Sequence, residues 1–580
     1  MKADASFNLM DRAWIPVTLT NGGHRDLSIR EVLEMADDIM AIDGDIPLQR
    51  FTLTRLLLAI MYGAFNRRFT DGQGRERTLD ASLWLFLLKE GAQGRFARKV
   101  LDDYCGRFQD RFDLFDPVNP FYQVAGLHTA KKDVSGLEKL ILDAPSGDPF
   151  FTTRIGEGLK SLDAAEAARW LVTAQAFDPS GIKSGAVGDP RVKNGKGYPI
   201  GTAWCGNLGG FLVEGSTLWQ TLMLNFVGKA VLSGPYSAVS WNDDKPIWER
   251  TQRDEKTADD FDQPADVVGG TMFFHGPATL LTWQSRRIRL AHDGETVTGV
   301  VIANGDRLKP QNAYCFEMLS GWRLSDPQSK KLHRIVYMPR KHDPTRAIWR
   351  GLPTLITGDF TSKDVKDSKP AEYLRPFVLD WLSDVGVSSR PVRLHAFGVE
   401  YGAQEAVVDS VVDDALDVNL VVLTKRDKEM RDVIEEAVSS TDQGVGAFRY
   451  FAGLVAQAQG IEPDGPRQKA GELAYGAFDA VFRQWLRGID EESDKSRLRQ
   501  EWRDRAWSLL RRLERRYMEG VSPRAMVGRL LPQSGTSQEQ SAPRPMSVAV
   551  ADAWFQARLR KIFNPSARPE DATQTTRKGE

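Results

Sequence analysis

Between Phe51 and Phe65 the chain reads FTLTRLLLAIMYGAF, apolar nearly all round a helical projection, and no other stretch constrains the fold as strongly. A helix without a polar face has to be covered on every side, so it belongs inside a large core. It is too short to cross a bilayer, which takes roughly 20 apolar residues. The chain has room for such a core: its 580 residues are several times the ~100–150 at which single-domain size peaks, so more than one core is expected.

The segments around that helix set the fold class. WIPVTLTNGG reads as a short strand and a turn, and HRDLSIREVL after it as a helix. From about Asp116 to Asn207 the sequence is irregular and rich in Gly and Pro, interrupted by the helical DAAEAARWLVTAQAF; long loops in compact domains are usually functional. TQRDEKTADDFDQP (251–264) reads as an exposed insertion loop before the strand-like runs TMFFHGPATLLTW and ETVTGVVIA. After about Thr424 the strand signal stops and amphipathic helices follow, with Leu498, Trp502, Ala506, Leu509, Leu513 and Tyr517 forming one apolar stripe. QSGTSQEQSAPRP (Gln533 to Pro545) has the composition of a disordered loop. The expectation is therefore α+β: a large mixed N-terminal domain over residues 1–424 with long ordered loops, a C-terminal four-helix-type bundle over 425–565, and a disordered tail over 566–580.

A composition of 41% apolar and 27% charged residues excludes a disordered chain. The net charge of −1 excludes a molecule drawn to phosphate as a whole, so nucleic-acid binding has to be local, with partners supplying most of the phosphate neutralisation. The opening MKADASFNLMDRAWIPV lacks the basic-then-apolar order of a signal peptide, and the expectation is a cytoplasmic protein with no membrane partner. Cys105, Cys205 and Cys315 are too far apart for a sequence-local zinc site, and read as single buried thiols.

The signatures of common chemistry are missing. The nearest approach to a P-loop, GDPRVKNGKG from Gly188 to Gly197, has the wrong glycine spacing and no hydroxyl after Lys196. GxGxxG, HExxH and GxSxG do not occur. His342-Asp343 resembles a fragment of a metal-hydrolase motif, but the seven histidines are scattered singly. Asp413-Asp414 and Glu435-Glu436 read as solvated helix faces. The expectation is no enzyme, no catalytic residue, no metal and no cofactor; the rival readings are a metal-dependent nuclease without a recognisable motif and a pure assembly scaffold.

Two regions suit nucleic acid. Phe177 to Gly201 spaces Lys183, Arg191, Lys193 and Lys196 among glycines and prolines, and glycine lets backbone approach a groove closely; an ordinary surface loop has the same composition. Residues 494–519 hold nine Lys or Arg against five Asp or Glu, on a face that either tracks a DNA strand or is simply solvated.

NLMDRAWIPV, NPFYQV at Asn119, AFDPSGIKSG at Ala176 and NLGGFLVEGSTLWQTLMLNFV at Asn207 stand in an order that resembles the CasA family, the large subunits of Type I-E CRISPR surveillance complexes (Cascade). The resemblance implies a non-catalytic subunit that reads the protospacer-adjacent motif (PAM) of double-stranded target DNA and helps open the strands, while guide pairing supplies sequence specificity. It implies a glycine loop at Pro179, Ser180, Gly181 and Ile182 with Lys183 beside it, and a glutamine wedge at Gln404 flanked by Gly402 and Ala403. It further implies a groove-reaching lysine at Lys309, and a loop around Phe151, Arg154 and Lys160 that docks on the guide RNA 5′ end and a neighbouring subunit. The other implied partners are the remaining subunits, the small ones included, and the helicase/nuclease that cuts. Some relatives carry a zinc site of clustered cysteines, for which this chain has no counterpart.

Overall fold

The Phe51–Phe65 run lies inside a 19-residue helix, Pro47–Phe65, in which every residue from Leu48 onward except Arg50 is buried. Even Arg55 is 2% exposed, and it is tolerated there because it donates a bidentate pair to Glu317 at 2.8 and 2.9 Å while Trp204 Nε1 donates to the same carboxylate. The computed structural model describes residues 5–65, 69–70, 76–77, 79–144, 159–228, 243–251, 254, 276–357, 370–425, 427–531 and 544–563. The chain divides into two compact units, Met1–Ile348 with Thr357–Leu416, and Trp349–Ile356 with Asp417–Glu580.

The first unit mixes helices with several small antiparallel sheets, as the α+β reading expects. At its start HRDLSIREVL departs from the sequence reading. His24–Leu27 is the second strand of a hairpin with Ile15–Leu19, and the helix begins only at Ile29, where Ser28 and Glu31 form a capping box. The box satisfies backbone donors that a helix starting at His24 would leave open. Part of TMFFHGPATLLTW also departs: Pro277–Leu281 is a short helix whose Ala278 and Thr279 amides donate to the Asp244 carboxylate, a cap distant in sequence. Thr271–His275 lie outside the described residues, as does nearly all of 251–264.

DAAEAARWLVTAQAF forms the helix Ala164–Phe177, capped by Asp163. The Gly/Pro-rich stretch after it is not simply loop, because Lys183–Ser184 pairs antiparallel with Lys196–Gly197. ETVTGVVIA lies in the strand Thr296–Asn304, which pairs along its length with Arg286–Asp293. A further sheet orders its strands Val408–Asn419, Pro391–Tyr401, Gly210–Glu214, and the first two are joined by the turn Gly402–Val407. Asp413 and Asp414 sit in that first strand and not on a helix, since Val408 to Asn419 alternates its exposure with period two.

The second unit is built on the helices Lys428–Gln459, Asp464–Arg487, Lys495–Glu519 and Val548–Phe563. KEMRDVIEEAV and GAFRYFAGLVAQAQ belong to one helix, which Asp427 caps at its start and left-handed Gly460 ends. Leu498, Trp502, Ala506, Leu509 and Leu513 are buried, while Tyr517 is half-buried against Phe448 and Phe451. Strand structure does return here: Arg529–Leu531 pairs with Arg544–Met546, so Arg544 and Pro545 close a small sheet. Residues 532–543 and 564–580, the proposed tail included, lie outside the described residues. Among the described residues no helix is long and apolar enough to cross a membrane.

Candidate nucleic-acid interface

The glycine segment begins where a helix is forced to stop. Asp178 leaves the Ala164–Phe177 helix in an extended conformation ahead of Pro179, as a residue preceding proline tends to. Its carboxylate is buried, and the guanidinium of Arg286, 1% exposed, donates to it at 2.5 Å. The same guanidinium donates to the carbonyls of Asp178, Pro179 and Gly201 at 3.2, 3.0 and 2.9 Å. One buried side chain therefore fixes both ends of the 178–201 excursion. Lys183 belongs to this anchor and not to the surface: its ammonium lies 2.5 Å from Asp178 Oδ2 and its side chain is 12% exposed. Burial lowers its pKa, and the Asp178 carboxylate opposes that shift. A DNA contact by Lys183 would require that pairing to open.

Beyond the anchor the loop turns outward. Ser180 is buried, Gly181 is half-buried and Ile182 is 58% exposed. A Cβ built on Gly181 would meet only Ala406 O at 3.8 Å, and its φ is not in the left-handed region, so the fold itself makes no demand for glycine at 181. Gly185 is different, since a Cβ there would lie 2.4 Å from Gly195 O inside the small hairpin. An added side chain at 181 would instead point into open space.

The candidate wedge lies against this loop. Gln404 and Glu405 both hold left-handed backbone, at φ +56° and +55°, a conformation that costs a non-glycine residue on the order of 1 kcal/mol. Three contacts hold the turn in place: Ser180 N donates to Glu405 O at 2.8 Å, Gly402 N donates to Val407 O at 3.0 Å, and the hydroxyl of buried Tyr401 donates to Phe177 O at 2.7 Å. Gly402 is half-buried, while Ala403, Gln404 and Glu405 are exposed. Pro179 to Ile182 and Gly402 to Glu405 are thus two neighbouring turns on one surface, although more than 200 residues of sequence separate them.

A cavity of about 530 Å³ opens beside them, with Gly201, Arg286, Arg307, Lys309, Lys331 and Glu405 in its wall. Lys309 is therefore in the same neighbourhood as the two turns. Thr202 Oγ1 and Gln311 Oε1, also in the wall, are buried without a hydrogen-bond partner among the described residues. Of the remaining cations in the loop, Arg191 is turned inward onto Asp189 and the Asn304 and Gly305 carbonyls, whereas Lys193 and Lys196 are exposed at the hairpin end. Phe151 and Arg154 lie outside the described residues; Lys160 is exposed just ahead of the Ala164–Phe177 helix.

Elsewhere the chemistry is structural. Burial pushes the His342 pKa down to about 4, and its Nε2 faces Gly210 O at 3.0 Å, while Asp343 accepts from Thr345 in a turn. Cys105 and Cys205 are buried thiols whose pKa desolvation pushes up to about 12. Among the described residues no three His, Cys, Asp or Glu side chains group as a metal site requires.

Sequence reasoning missed Arg286, Asp178, Tyr401 and Lys341, which lies 3.6 Å from Glu405. SRRIRL offered one signal: a strand alternates its faces, so one of two adjacent arginines has to point inward and find a carboxylate. That Arg287 also finds one, Asp306 at 2.9 Å, had no local sign.

A half-buried glycine edge, an exposed amide on a strained turn and a basic cavity thus lie together in an α+β unit of a nearly neutral molecule. A family model described as CRISPR-associated protein Cse1 matches residues 8–513, and the chain belongs to that family. It is similar to Thermobifida fusca Cse1, whose crystal structure matches with a TM-score of 0.83 at 36% identity over 97% of this chain and 99% of that one. CRISPR-associated protein CasA/Cse1 of Thermus thermophilus is 26% identical over 531 residues, 87% of this chain and 92% of the relative. The fold also matches a chain in a structure of a CRISPR RNA-guided surveillance complex, with a TM-score of 0.64 at 16% identity.

Proposed function

We propose that this chain is the large, non-catalytic subunit of an RNA-guided surveillance complex in the cytoplasm, that it reads the PAM on double-stranded DNA, and that it starts strand separation. The observation that carries the reading is the Ser180 N to Glu405 O bond, which makes the glycine loop and the wedge turn one unit that a single duplex can meet. Gly181 gives backbone access to the minor groove, where width and a sparse donor pattern are read without bulky side chains. Gln404 enters the stack beside the PAM, replacing lost stacking of a few kcal/mol. Lys309 reaches the groove from the cavity edge, and the guide then pairs with the opened strand.

In this reading the segment holding Phe151, Arg154 and Lys160 docks on the guide RNA 5′ end, the helical unit meets the small subunits, and cleavage belongs to a recruited helicase/nuclease. The test compares binding of duplexes with varied PAMs by complexes assembled with and without this chain. PAM-dependent binding that vanishes with the chain is expected; equal binding across all PAMs would overturn the reading. Gly181→Asp and Gln404→Ala complexes that assemble normally yet bind PAM duplex as the parent does would leave a pure scaffold.

A further inference from the structure

Glu405 poses a problem for a DNA-facing turn. A carboxylate beside the wedge repels the phosphate backbone that has to approach it, and like-charge opposition costs affinity. The backbone of Glu405, not its carboxylate, makes the bond to Ser180. The carboxylate instead lies 3.6 Å from Lys341 Nζ, with the two side chains 48% and 39% exposed. Lys341 is also held over the ring of Tyr401, 5.4 Å from its centroid, and the hydroxyl of that ring anchors the end of the glycine-loop helix at Phe177 O. Glu405 also lines the cavity that holds Arg307, Lys309 and Lys331; Asp306, the other acid in that wall, is paired with Arg287 and 2% exposed.

Resting on the reading of Gln404 as a wedge, we infer that Lys341 is a further DNA contact, taking a backbone phosphate next to the opened base pair, and that Glu405 is the counter-ion that holds its place until DNA arrives. Three observations converge on this. The cation is pre-positioned by the same tyrosine that fixes the wedge turn. Its partner is an exposed pair, a class worth about 0–1 kcal/mol, so a phosphodiester displaces it at little cost. The acid both pairs with Lys341 and lines a basic cavity, so a phosphate arriving at that cavity can exchange with it. Without DNA the pair keeps the turn neutral; with DNA the charge of Lys341 passes to the phosphate.

The test uses the assembled complex carrying Lys341→Ala, Lys341→Arg or Glu405→Gln, titrated with PAM duplex over a range of salt. Removing one phosphate contact lowers the slope of log affinity against log salt by about one, equally for every PAM. Lys341→Ala is expected to show that loss, Lys341→Arg to restore the slope, and Glu405→Gln to bind severalfold more tightly. An unchanged slope in Lys341→Ala, even with weaker PAM discrimination, would reduce the lysine to a support for the turn and overturn the inference. Weaker binding by Glu405→Gln would overturn it as well. If the parent complex shows no PAM preference, the function proposed above fails, and the slope still reports on the phosphate contact.

Discussion

In the first unit the residues proposed to meet DNA are held by buried polar groups: Arg286 binds a carboxylate and four carbonyls, and a single backbone bond joins two turns. In the helical unit order comes from rings, with Trp502 set among Phe478, Phe482 and Trp485 at centroid distances of 6.0, 4.9 and 5.1 Å. Apolar packing tolerates substitution of similar volume, whereas a hydrogen-bonded cation fixes positions and fails when one partner is removed. The difference teaches where precision is stored. The chain uses packing for stability and a polar anchor to place a loop that offers little packing of its own.

The largest effects should separate those two roles. Arg286→Met leaves the buried Asp178 carboxylate with Lys183 as its remaining cation and removes the donors of four carbonyls, and is expected to cost about 3 kcal/mol with loss of PAM discrimination. Trp502→Ala should cost a similar ~3–5 kcal/mol yet leave discrimination by the assembled complex intact. Denaturant unfolding together with PAM-duplex binding reads both, and discrimination that falls equally in the two variants would break the comparison.

A smaller effect lies in the wedge turn. Gln404→Gly relieves left-handed strain, so the variant should be up to about 1 kcal/mol more stable while opening duplex less well. Melting followed beside a fluorescent-base assay of strand opening checks it; a variant that is less stable would mean the turn is not strained at this position.

The smallest concerns His395, which bridges Glu214 at 2.9 Å and Asp413 at 2.6 Å and so ties the outer strands of the wedge sheet together. Burial disfavours the imidazolium, but the bonds to Asp413 and Glu214 outweigh it and raise its pKa. Stability from the bridge is thus complete below the unfolded value of about 6.5 and is lost as pH rises through the higher folded value. Denaturation at about pH 6 and pH 9 should show that decline in the parent chain, and His395→Gln should flatten it.

Much of this was legible in the sequence, for reasons that differ by region. The Pro47–Phe65 helix and the Leu498–Leu513 stripe were readable because periodicity is local and burial follows from it. The hairpin strand His24–Leu27 and the Pro277–Leu281 helix were misread because their ends are decided by caps, one of them supplied by Asp244 from a distant segment. For the candidate site, the glycine loop and the wedge were placed by resemblance, and the structure sets them side by side. Lys183 was read as a DNA-facing cation because nothing local announces that Asp178 and Arg286 enclose it. Charge in a sequence gives no direction; only the partner does.

The central claim is that the glycine loop and the wedge turn act on DNA as one unit, and a double-mutant cycle tests it directly. PAM-duplex affinity would be measured for complexes carrying Gly181→Asp, Gln404→Ala and both. The account predicts a coupling of at least ~0.5 kcal/mol, the second substitution costing much less once the first is present, because residues that share contacts do not add. Losses that sum to within about 0.3 kcal/mol would show two independent contacts and contradict it.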